Sequence, residues 1–158
     1  MRQNQTNMHL EHLTAAEKQA LIDAFPYVLL LVAGADGVID ENELETAEKV
    51  AQVRSFATDV DFKHFYTEVS DHLLSRLEAL KANLPDDVAE QQAIISAELS
   101  RLNEIFPKID YISAKKLYKD LLSFAKHIAK ASGGFAGFLS VSNEEADVLN
   151  LSMINPIE

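Results

Sequence analysis

The sequence predicts an all-α protein, and three observations carry that prediction. Apolar residues recur at steps of three and four along most of the chain. Gly and Pro are scarce, five and four respectively in 158 residues. Runs of β-branched residues with period-two alternation are missing. Stripes and caps together give a single-domain bundle of about seven helices over residues 14–158, preceded by a loosely ordered segment, 1–13.

Thr14-Ala15-Ala16-Glu17 is a capping box that starts the first helix: the hydroxyl meets the N3 amide, and Glu17 reaches back to the cap. Pro26 fits the first turn of a second helix or kinks the first. Residues 26–35 are apolar nearly all round, so this segment is expected at the centre. Asp36-Gly37 breaks it, and Asp40-Glu41-Asn42-Glu43 repeats the box to open a third helix with Leu44, Ala47, Val50 and Ala51 as its inner face. A fourth helix is expected over residues 59–84, with Phe62, Phe65, Tyr66, Val69, Leu73, Leu77 and Leu80 as its stripe. Pro85-Asp86-Asp87 is a stop and restart. The fifth helix carries Val88, Ile95, Leu99, Leu102 and Phe106, and Pro107 ends it. Ser113 is the expected cap of a sixth, with a seam of Ala114, Leu117, Leu121, Phe124, Ile128 and Ala131. Gly133-Gly134 stops that helix. Ser142-Asn143-Glu144-Glu145 is a third box, starting a last helix with Val148, Leu149 and Met153 inward.

Composition narrows the chemistry. Cysteine is absent, which excludes disulfides, thiolate nucleophiles and Cys-based zinc or iron–sulfur sites. With 14 basic and 25 acidic residues the net charge is -11, a field that repels nucleic acid. No apolar run reaches the roughly 20 residues of a membrane span. The polar N-terminus lacks the pattern of an export signal, so a cytoplasmic location is expected. Gly-x-Ser-x-Gly, P-loop and Gly-x-Gly-x-x-Gly patterns are missing, and the expectation is a non-enzymatic protein.

Two stretches echo one another. Ala33-Gly34-Ala35-Asp36-Gly37 is matched by Ala129-Lys130-Ala131-Ser132-Gly133, and Ile39-Asp40-x-x-Glu43 by Val141-Ser142-x-x-Glu145. This suggests a duplicated helix–loop–helix. The stretch from Ala33 to Val50, AGADGVIDENELETAEKV, resembles the signature of the TerB (tellurite-resistance) family: an Ala-x-Ala-Asp-Gly turn, an aliphatic residue, then Asp-x-x-Glu opening a helix. A weaker C-terminal copy is also a family trait. The resemblance implies an all-helical tellurite-resistance or stress-response protein. It also implies a divalent cation at the acidic loops, here Asp36, Asp40, Glu43 and Glu145.

The residues themselves leave that site open. Asp36, Asp40 and Glu43 offer oxygens to a hard cation. They also serve as a turn residue, an N-cap and its reciprocal partner. An EF-hand fails, since its first two ligand positions fall on Val32 and Gly34. Ser132 and Ser142 replace the two Asp in the second copy, which keeps Glu145. Asp61, His64, Glu68 and His72 line up on one side of the long helix, either as a solvated face or as half of a metal centre. The second option would make the chain a metal-dependent helical enzyme using Glu68 and His72. A scaffold binding no metal is the third reading.

Charge is unevenly spread. Residues 36–49 carry net -5, whereas residues 113–131 carry net +4. Lys115, Lys116, Lys119, Lys126 and Lys130 project opposite the apolar seam of the sixth helix. They form either a solvated surface or a docking face for a protein partner, a peripheral membrane contact or an oxyanion. Without interleaved aromatics they argue against nucleic acid.

Overall fold

The computed structural model describes residues 10–33, 39–57, 60–131 and 148–158. The described residues are helical and contain no strand. The elements are α1 (Ala15–Ala33), α2 (Glu41–Arg54), α3 (Val60–Ala82), α4 (Val88–Ser100), the single turn α5 (Leu102–Ile105) and α6 (Tyr111–Ala131). Short 3-10 turns occupy Leu10–His12 and Phe106–Lys108. Among the described residues there are five long helices, where the sequence suggested about seven in the chain. Of the echo's second copy only Ala129–Ala131, the end of α6, is described; Gly133-Gly134 and the Ser142–Glu145 box lie outside the described residues.

Part of the difference in number comes from Pro26, which sits inside one continuous α1. An internal proline costs about 3 kcal/mol through its missing N–H and its ring clash. Ten buried side chains in α1, Pro26 among them, offset this. Each large apolar one contributes roughly 1.5–3 kcal/mol. Val28, Leu29 and Leu31 are almost fully enclosed, and α1 packs against α2, α3, α4, α5 and α6. Its Phe25 is the hub, edge-on to Phe65, Tyr66 and Phe124 at centroid distances of 6.1, 5.6 and 5.4 Å. Such pairs add about 0.5–1.5 kcal/mol each beyond burial.

The predicted stripe of α3 is buried in full, from Phe62 to Leu80. The expected helix through Phe106 turns at Arg101 and tightens into the 3-10 turn that holds Pro107. The cap of α6 is Asp110, not Ser113. Asp110 accepts hydrogen bonds from the Ser113 amide at 3.0 Å and hydroxyl at 2.8 Å. A carboxylate suits the positive end of a helix, and the fully buried Ser113 hydroxyl needs an acceptor.

At the C-terminal end, Leu151 and Ile154 fill the core, while Val148 and Met153 pack beside it. Leu151 has φ 50, a left-handed conformation costing roughly 1–2 kcal/mol outside glycine. Full burial of its side chain supplies about 1.5–3 kcal/mol, so packing outweighs strain. Asn103 holds this segment: its Nδ2 donates to the Met153 carbonyl at 3.0 Å, and its Oδ1 accepts from the Asn155 amide at 2.7 Å.

Candidate functional site

The acidic helix start forms as a reciprocal cap. The Asp40 carboxylate accepts from the Glu43 amide at 2.9 Å, and Glu43 accepts from the Asp40 amide at 2.8 Å. Glu43 is buried, 3% exposed, whereas Asp40 faces solvent. Of the four residues named for a cation, the structure thus brings Asp40 and Glu43 together. Asp36 and Glu145 lie outside the described residues.

The carboxylate–histidine line on α3 faces outward. His64, Glu68 and His72 are exposed, and Asp61, His64 and Glu68 border a hollow of about 250 Å³ shared with Lys18 and Leu10. Among the described residues no three His, Asp or Glu side chains converge as metal ligands.

Three polar links between helices hold the bundle. Asp23 of α1, 7% exposed, takes both ends of the Arg76 fork on α3, at 2.9 and 2.8 Å, and a bond from Gln19 at 2.9 Å. The hydrogen bonds to Asp23 raise the Arg76 pKa further, and it stays charged. Tyr27 borders a cavity of about 190 Å³ beside this pair; burial, then the charges of Glu98 and Asp23, raise its pKa. The Tyr66 hydroxyl donates to Asp120, tying α3 to α6. Burial first, then the Asp120 charge, pushes Tyr66 well above the usual tyrosine range. Lys116 completes this link, 3.0 Å from Asp120. At the surface, Lys108 pairs with Glu17 at 2.5 Å and lowers its pKa.

The basic face of α6 contrasts with these satisfied groups. Lys115, Lys119, Lys126 and Lys130 fall within a sector of about 60° on the helix wheel and span roughly 22 Å of axis. Lys119, Lys126 and Lys130 are exposed and make no ion pair within the described structure. Lys115 sits 5.9 Å from the Tyr111 ring centre. Ile112, 69% exposed, shares the lysine sector.

Next to this face, α2, α3 and α6 meet around Tyr66. Arg54 and Lys116 each lie 5.9 Å from the centre of its ring, and Lys116 is 5.1 Å from that of Phe62. Arg54 Nη1 is shielded from solvent and meets no acceptor among the described residues. Val53 in α2, Phe56 just after it and Val60 at the start of α3 are exposed, by 62%, 72% and 39%. Sequence reading missed them. The available signal was phase: Ile112 lies about 170° round α6 from its buried stripe, and Val53 about 120° round α2 from Glu43, Ala47 and Ala51.

Comparison with protein-family models, with curated proteins and with solved structures finds no match.

Proposed function

We propose that this chain is a TerB-like, non-enzymatic stress-response module that binds an acidic protein partner on α6. The observation carrying this reading is the lysine sector itself. Three exposed lysines, without ion pairs among the described residues, share one face of a chain whose net charge is -11. Elsewhere, ionisable groups such as Asp23, Arg76 and Glu17 are engaged in pairs that join separate elements. Unneutralised like charges held together repel one another, and an acidic partner relieves that repulsion while gaining on-rate from steering. The tie to tellurite resistance and stress rests on the resemblance of residues 33–50.

A divalent cation at Asp36, Asp40, Glu43 and Glu145 belongs to the same reading. Its support is that exposed Asp40 uses only one oxygen in the cap. Calorimetry with calcium, magnesium, manganese and zinc tests it: heat that disappears in Asp40→Asn is expected, and no heat with any of the four refutes it.

The partner face is tested by titrating polyglutamate into the labelled protein and following amide shifts. Shifts along α6 that disappear in the Lys119→Glu, Lys126→Glu, Lys130→Glu variant are expected. Silence along α6 at low salt, or shifts that persist in the variant, refute the reading.

A further inference from the structure

We propose that the acidic partner of α6 is a second copy of this chain, which sets the glutamate stripe of its α2 on the α6 lysines. The inference rests on α6 being the partner face and adds the partner's identity. Glu41, Glu45 and Glu48 are exposed on α2 and make no ion pair among the described residues. They fall within a sector of about 60° on the helix wheel, the same width as the lysine sector. Lys49 stands at the edge of that sector, about 80° round from Glu41.

The two stripes match in length as well as in sign. Glu41 and Glu48 are seven residues apart, and so are Lys119 and Lys126, a rise of about 10.5 Å in each case. A two-fold dimer uses the pairing twice, since each copy offers both stripes. Exposed ion pairs are individually weak, and two chains of net charge -11 repel at long range. At about 0.1 M salt the Debye length of about 10 Å screens the distant charges more than the facing stripes; at about 1 M, where it is about 3 Å, the stripes fade too.

A lipid surface competes for the same face. Ile112 lies in the lysine sector, exposed by 69%, with Tyr111 beside it at 56%. Both belong to the first turn of α6, and the apolar stripe of that helix is buried in the bundle instead of being free to enter lipid. An anionic bilayer would engage the lysines but repel the glutamates of α2, the helix packed against α6. A second copy complements both stripes.

Sedimentation equilibrium of the full chain tests the pairing. At about 0.1 M salt the mass should climb with concentration toward twice the monomer, and at about 1 M it should stay at the monomer. Two charge reversals, Lys119→Glu, Lys126→Glu, Lys130→Glu and, separately, Glu45→Lys, Glu48→Lys, should each weaken association at least about tenfold. All five sites are exposed, and circular dichroism verifies that each variant folds. An equimolar mixture of the two variants should associate again, because each stripe then meets its opposite. Glu68→Lys, Glu78→Lys on α3 makes the same change in net charge as the α2 reversal and should not rescue the lysine variant. A monomer at every concentration, association that either reversal leaves unchanged, or equal rescue by the α3 control overturns the proposal. If polyglutamate still shifts α6 in that case, the α6 reading stands; if polyglutamate is silent as well, both fall. Phosphatidylserine vesicles that bind the chain and release Ile112→Ser assign the face to a membrane and overturn the proposal too.

Discussion

Removing Asp23 should destabilise the bundle by about 2 kcal/mol, and removing Arg76 should cost more. An exposed ion pair is worth roughly 0–1 kcal/mol, whereas breaking a fully buried one costs about 3–5 kcal/mol. This pair lies between, with side chains 9% and 35% exposed. Asp23→Ala deletes the acceptor of three hydrogen bonds, but the freed Arg76 can turn to water. Alanine's better helix propensity returns about 0.5 kcal/mol. Arg76→Ala instead strands a buried carboxylate with Gln19 as its remaining partner, so its loss should approach about 3 kcal/mol. In a chain of this size 2 kcal/mol lowers Tm by roughly 4–8 °C. Urea unfolding followed by circular dichroism measures both variants, and the double variant should reveal a coupling of about 1–2 kcal/mol. Losses below about 0.5 kcal/mol for both, or a larger loss for Asp23→Ala, would refute the reasoning.

Asp40→Ala removes the acceptor for the Glu43 amide and should cost about 1 kcal/mol in the same assay, while Asp40→Asn should cost much less. Phe124→Ala empties the space beside Phe25 and should cost about 3–5 kcal/mol; a loss under 1 kcal/mol would mean that α6 does not seal the core. In an ultraviolet pH titration of the four tyrosines, Tyr66 should stay protonated well above the usual tyrosine range. Its folded pKa is raised, so its contribution to stability is complete below about pH 10 and is lost as pH climbs from there toward the folded value. Early ionisation of all four in the folded state would contradict the burial of Tyr66.

Legibility in the sequence followed the range of the interactions. The Thr14–Glu17 and Asp40–Glu43 boxes are local, and both form as the spacing predicts. The stripe of α3 was readable because helical period alone decides which side faces inward. Pro26 misled because its local cost is outweighed by tertiary burial, which spacing does not disclose. Ser113 is the cap that spacing suggests, whereas its amide and hydroxyl both donate to the Asp110 carboxylate, which takes the outer position. The Asp23–Arg76 and Tyr66–Asp120 links join residues 53 and 54 positions apart, beyond any motif. The lysine face was legible from charge and phase. The exposure of Phe56 was not, because it follows the end of α2 and depends on how α2 and α3 pack.

Amine-reactive footprinting read by mass spectrometry puts the partner face to its most direct trial. With polyglutamate bound, Lys119, Lys126 and Lys130 should lose reactivity while Lys63 and Lys81, also exposed but on α3, keep theirs. Uniform labelling of all five lysines with polyglutamate present, or protection centred on α3, would contradict it.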